Sequence, residues 1–127
     1  MILGRMTLAA ALAVIACTPA RTYFAPQRDP ARITQAEIDA SVAVDAYDAV
    51  VKLRANFLAS RGRTSFRPNE STLPTVFVDG LRYGPISTLK QIPAIDVAEI
   101  RLFRSWEATT TFGTGFPSGV IAVTTRR

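Results

Sequence analysis

The chain has 127 residues, which is room for one domain around a single core. Hydrophobic residues make up 48% and charged residues 20%, a balance that excludes a wholly disordered polypeptide. A net charge of +5 arises from 15 basic and 10 acidic residues, and with no histidine and one cysteine the commonest general base, triad partner and zinc ligand are missing.

Residues 1–6 carry one positive charge, at Arg5, and are followed by the apolar run 7–16. That run suits a signal-peptide core but falls well short of the roughly 20 apolar residues a spanning helix needs. Immediately afterwards Val14-Ile15-Ala16-Cys17 resembles the lipobox of bacterial lipoproteins, in which small residues precede a cysteine that is lipidated and becomes the first residue. The resemblance implies a lipoprotein signal peptide over 1–16, a membrane anchor through lipidated Cys17, and no free thiol. With Thr18 rather than aspartate after the cysteine, it further implies an outer-membrane address on the periplasmic face. Acyl chains contribute about 0.8 kcal/mol per buried methylene, so two or three hold a protein on a bilayer without a spanning helix.

Residues 18–30 contain three prolines, two arginines and no periodicity, and 17–32 read as a flexible tether. Order is expected from Ile33, making 33–127 the folded domain. Thr34-Gln35-Ala36-Glu37 is a capping box, with Ile33 and Ile38 at the hydrophobic-staple positions. Ser41 is a candidate cap for a second segment. Ala43, Ala46, Tyr47, Val50, Leu53 and Phe57 recur at steps of three and four, the signature of one buried helix face, and Gly62 is a plausible stop. On the other side Asp48 and Lys52 are spaced to pair.

Three later runs, 73–80, 97–104 and 119–125, are rich in β-branched and aromatic residues and bounded by Pro, Gly or Asp, and so read as strands. Asp79-Gly80 closes the first as a turn. Ile86, Leu89 and Ile92 predict a short helix ended by Pro93, giving a strand–helix–strand unit with 97–104 as its second strand. Alternation in that strand places Val97, Glu99, Arg101 and Phe103 on one face. Residues 107–112 predict a helical turn, and Gly113, Gly115 and Gly119 permit the return into the last strand.

The candidates for chemistry have simpler structural readings. Asp79 precedes a turn glycine and is best explained as a cap for nearby amides. Asp96 caps or solvates a loop, and Glu99 is spaced to pair with Arg101. Gly113-Thr114-Gly115 lacks the remainder of any phosphate-loop signature. Ser118 has no base partner. Trp106 with Phe103, Phe112 and Phe116 suits core better than a binding patch, although Tyr83 and Trp106 together are the candidate ligand contacts. Basic residues are scattered rather than blocked, which argues against nucleic acid as a partner. No metal or cofactor is implied, and the enzyme reading is weak.

The order Thr75-Val76-Phe77-Val78-Asp79-Gly80, Leu89-Lys90-Gln91-Ile92-Pro93, Ile100-Arg101-Leu102-Phe103, Phe112-Gly113-Thr114-Gly115 and Gly119-Val120-Ile121-Ala122-Val123-Thr124-Thr125 resembles the plug domain of TonB-dependent outer-membrane receptors. Leu53-Arg54, near a helix end before the Val-Asp-Gly strand, fits the same pattern. The resemblance implies an α+β fold, a small mixed sheet with packed helices, in which Val78, Asp79, Gly80, Gly113, Gly119, Val120 and Ile121 are structural. In such receptors a barrel follows the plug; here the chain reaches Arg127 soon after the last strand, and the expectation is a plug-like unit without a barrel. The expected function is that of a lipid-anchored, non-catalytic binding module whose partner is an outer-membrane barrel or another envelope protein, the final strand serving for strand addition if it forms a sheet edge. The competing expectation is a periplasmic small-ligand-binding lipoprotein associated with outer-membrane uptake.

Overall fold

A computed structural model describes residues 27–60 and 71–127; the expected signal peptide, Cys17 and Gly62 lie outside them. In chain order the elements are β1 (Arg32–Thr34), α1 (Gln35–Ser41), α2 (Ala46–Arg54) with a 3-10 extension Ala55–Leu58, β2 (Thr75–Val78) and β3 (Leu81–Gly84). Two 3-10 helices, Ile86–Gln91 and Ala94–Asp96, lead to β4 (Val97–Phe103), α3 (Ser105–Phe112) and β5 (Val120–Thr125). The architecture is α+β, with one five-stranded mixed sheet ordered β1-β4-β5-β2-β3.

The start of α1 results from its capping box. The Thr34 hydroxyl accepts from the Glu37 amide, and a Glu37 carboxylate oxygen accepts from the Thr34 amide at 3.0 Å. Buried Ile33 and Ile38 flank the cap as a staple. The break between α1 and α2 falls near Ser41, but Ser41 does not cap α2: its Oγ donates to Ile38 O at 2.7 Å and closes α1. Val42 then turns left-handed (φ 52°), and Asp45 caps α2 by accepting from the Asp48 amide at 2.7 Å. Lys52 meets Asp48 at 2.7 Å on the exposed side, as the spacing predicts.

The main core lies between the sheet and α1 and α2. Ala46, Ala49, Val50 and Phe57 from the second helical segment pack with Ile33, Ile38, Val76, Leu89, Ile100, Ile121 and Val123. Burial of such a side chain contributes roughly 1.5–3 kcal/mol, which makes this layer the chief source of stability. On the opposite sheet face a smaller core forms around Phe77, Ala108 and Val120.

Three features correct the sequence expectations. Val97 joins Ile100 and Leu102 in the main core instead of facing the same way as Glu99, Arg101 and Phe103. A register shift between Val97 and Glu99 against β5 inserts one residue and resets the alternation. The strands of the expected strand–helix–strand unit, β2 and β4, are not neighbours, because β5 lies between them, parallel to β2 and antiparallel to β4. β5 is therefore central, and the sheet edges are the short strands β1 and β3. Pairing also begins slightly before Ile33: Arg32 faces Arg101 across β1 and β4, and Ala31 O accepts from Leu102 N at 2.8 Å. Among the described residues no helix is long and apolar enough to cross a membrane.

Candidate functional site

The β2–β3 hairpin turns on two residues of positive φ, Asp79 at 49° and Gly80 at 83°. This is the primed turn whose twist matches the flanking strands, and Asn, Asp and Gly tolerate it best. The turn is fixed from outside the hairpin. Asp79 N donates to Val123 O at 2.9 Å, while the Asp79 carboxylate accepts from Thr125 N at 2.9 Å and Thr125 Oγ1 at 2.6 Å. Asp79 is thus a cap, as its place before a turn glycine suggests, but for an amide 46 residues away instead of a local one. The Thr125 hydroxyl, with the Thr125 amide and the Arg127 charge, holds the Asp79 carboxyl below its ordinary value despite some desolvation.

β3 runs out from this turn along one sheet edge. Val78 faces Leu81 and Phe77 faces Arg82; Tyr83 is the extra residue at a register shift before Gly84 meets Val76. Leu81 is 74% exposed and Tyr83 48%. In the antiparallel pattern Val78 and Leu81 exchange the bonds next to the turn, so the Arg82 backbone N–H and C=O point away from β2 along the free edge. The edge is short and bulged, two devices that limit uncontrolled pairing.

On the face opposite the main core, phenylalanines form a packed layer. Phe77 stands 4.5 Å from Phe112 and 5.3 Å from Phe116, and Phe103 stands 5.2 Å from Phe112, between ring centroids. The Arg82 guanidinium lies 5.8 Å from the Phe116 ring and that of Arg101 4.7 Å from the Phe103 ring. Of the four aromatics read as a unit in the sequence, Phe103, Phe112 and Phe116 are partly buried and pack against the smaller core, and Trp106 stands outside it, 67% exposed on the first turn of α3. Phe77 completes the layer, and its burial on the α3 side follows from the parity of β2.

Tyr83 and Trp106, the paired candidate ligand contacts, are not brought together. Tyr83 is on β3, and Trp106 follows β4; β5 and β2 intervene, about 14 Å of strand spacing. Neither residue lines either of two surface depressions formed by described residues. One, of about 540 Å³, is bordered by Gln35, Asp79, Thr124 and Arg126; the other, of about 640 Å³, by Arg28, Arg32, Glu37 and Leu53.

The remaining motif residues shape the backbone. Gly119 has φ 89°, and a Cβ there would sit 2.4 Å from Phe103 O, so only glycine admits the approach of β5 to the end of β4. Gly113 ends α3 at φ 91° with open space around it. Val120 and Ile121 fill the two cores from opposite faces of β5, and Val78 borders the main one. Ser118 is buried and its Oγ donates to Ser71 O at 2.7 Å, a loop fastening.

The ion pairs differ from the spacing rule. Glu99 meets Arg32 Nε at 3.0 Å, not Arg101, because Arg101 is drawn over Phe103. Glu37 binds Arg54 Nη2 at 3.0 Å. Burial works against the Glu37 charge, but the Thr34 amide and the Arg54 guanidinium outweigh it and hold the carboxyl below its ordinary value. Asp96 is exposed, and its backbone C=O accepts from Arg126 N at 2.8 Å. Among the described residues no three His, Cys, Asp or Glu side chains converge as a metal site. No protein-family model, curated protein or solved structure matches the chain.

Proposed function

We propose that the protein is a lipid-anchored component of a bacterial cell envelope, held at the periplasmic face of the outer membrane, whose α+β domain is of the TonB-dependent receptor plug type and acts as a non-catalytic binding module for another envelope protein. The observation that carries this reading is the bonding of Asp79 to Thr125 across the parallel neighbours β2 and β5. It joins the Val-Asp-Gly turn to the end of the Gly-Val-Ile-Ala-Val-Thr-Thr strand, the two stretches on which the resemblance chiefly rests. Their meeting in space gives a physical reason for both to occur in one chain.

Binding by strand addition belongs to β3 in this reading, since β5 is enclosed between two other strands. An extended segment of the partner would pair with the outward backbone groups of Arg82, while Leu81 and Tyr83 supply exposed apolar contact. A lipid on Cys17 would confine the domain to a layer next to the membrane and raise its effective concentration there.

Two measurements test the proposal. Metabolic labelling with an acyl-chain probe should mark the native chain and not Cys17→Ser; equal labelling of both removes the anchor. A photo-crosslinking residue at Tyr83 should yield a discrete adduct in intact envelopes, and the same residue at Val51 on α2 should not. Identical adduct patterns from both positions would show that β3 is not the binding edge.

A further inference from the structure

We propose that the sheet face carrying α3 lies against an anionic bilayer, with Arg82, Arg101 and Arg104 meeting lipid phosphates and Trp106 entering the head-group layer. The first ground is the segregation of charge. Arg28, Arg32, Lys52, Arg54 and Arg126 are all in ion pairs with Glu37, Glu99, Asp48 or Asp39. Arg82, Arg101 and Arg104 are in none among the described residues; of the two other basic residues without an ion pair there, Lys90 lies over the Tyr47 ring beside the main core and the charge of Arg127 acts on Asp79. The carboxylates closest to them in the chain are held by other groups: Asp79 by Thr125, Glu99 by Arg32, and Glu107 by the backbone amide of Arg104, which donates to its Oε2 at 3.0 Å.

The second ground is how two of these cations are mounted. Arg82 rests on Phe116 and Arg101 on Phe103, and these rings are connected through Phe77 and Phe112 into one packed layer. A guanidinium with one flank on an aromatic ring keeps its N–H edge for an outside acceptor, and its planar fork suits phosphate oxygens. The layer fixes the spacing of the two groups without neutralising either.

The third ground is Trp106. Ala108 and Phe112 turn inward from α3, and Trp106, on the other side of the helix, is 67% exposed. An indole next to cations matches the head-group zone, where its apolar body and N–H are both accommodated. A single-stranded nucleic acid would instead call for a groove with several exposed stacking rings, and the other aromatics of this face are packed into the layer. The bilayer setting rests on the envelope reading above, but the surface itself needs no lipid on Cys17.

Trp106 is the only tryptophan, so its fluorescence reports on this face alone. The full chain carrying Cys17→Ser is titrated with vesicles of phosphatidylcholine and with vesicles of phosphatidylcholine plus phosphatidylglycerol. The readout is the change in the ratio of the two partition coefficients between the parent and its arginine variants, because the N-terminal run, with the charge of Arg5, is the same in all of them. A blue shift of Trp106 is expected with the anionic vesicles, together with a ratio that falls as salt rises. Each of Arg82→Gln, Arg101→Gln and Arg104→Gln should lower that ratio about fivefold. A ratio near one, no salt dependence, or folded variants that keep the native ratio would overturn the proposal, as would a larger Trp106 response to a single-stranded oligonucleotide at equal phosphate. If a variant does not fold, the Trp106 emission of the parent chain decides: an emission unmoved by anionic vesicles overturns the proposal. Anionic preference without acyl labelling of native Cys17 would remove the lipid anchor and leave this surface standing.

Discussion

Asp79 and Thr125, 46 positions apart, are joined by both a backbone and a side-chain hydrogen bond, at 2.9 and 2.6 Å. The pair closes the hairpin turn against the end of the central strand. Because the bonded form is the carboxylate, the Asp79 pKa is lowered in the folded state relative to the unfolded chain. A lowered carboxyl pKa stabilises the fold above the unfolded value, and the contribution disappears as pH falls through the folded value. Glu37 acts with the same sign. Urea midpoints should therefore drop as pH is lowered from about 5 toward 2, and Asp79→Asn should flatten that dependence. A profile unchanged by the substitution would show that the bond is not coupled to folding.

Gly119 and Gly113 share a positive φ but differ in surroundings, which makes them a controlled pair. Gly119→Ala places a methyl against Phe103 O and should cost roughly 3 kcal/mol or more. Gly113→Ala meets nothing within 4 Å. At φ 91° and ψ −174° it should cost the backbone strain alone, about 2 kcal/mol, without the added clash of Gly119→Ala. Chemical denaturation of both variants measures the difference.

Phe57 is fully buried at the end of the α2 segment, though it lies on a 3-10 turn. Phe57→Ala should lower unfolding free energy by about 3–5 kcal/mol, as for other large aromatic truncations in cores. A loss below about 1 kcal/mol, the range of surface substitutions, would place the 3-10 turn outside the cooperative unit.

Arg54 donates to Leu53 O, Asp29 O and Glu37, with 13% of its side chain exposed. Arg54→Met should cost about 2 kcal/mol, since it leaves the partly buried Glu37 carboxylate and Leu53 carbonyl without this charged donor. Arg28 approaches the same Glu37 at 3.8 Å with 79% exposure. Arg28→Met should stay within about 0.5 kcal/mol of the parent. Equal effects in urea denaturation would contradict this division.

Legible before folding was whatever the local chain decides. The Thr34–Glu37 capping box and the Asp79-Gly80 turn depend on neighbours in sequence and are found; the three-and-four spacing from Ala43 to Phe57 is found as α2 over Ala46–Arg54, with Ala43 left in the connection before it and Phe57 on the 3-10 extension. Strand membership was legible for β2, β4 and β5 because their runs are apolar. β3 was not, since Leu81, Arg82 and Tyr83 are all exposed and leave no alternating burial to detect. β1 is three residues held by β4 alone. The shift at Val97–Glu99, the central place of β5 and the division of the aromatics into layer and surface all depend on pairings between distant segments. For the same reason Glu99 was assigned the wrong arginine.

The central position of β5 also orders events in time. Until residues 120–125 are in place, β4 and β2 have no common neighbour, and the sheet exists only as a β1–β4 piece and a β2–β3 hairpin. Neither fragment can enclose the main core, because Ile121 and Val123 supply its middle. A chain that has not yet added residues 120–125 thus lacks the strand that joins its two sheet pieces and two of the side chains that fill its main core.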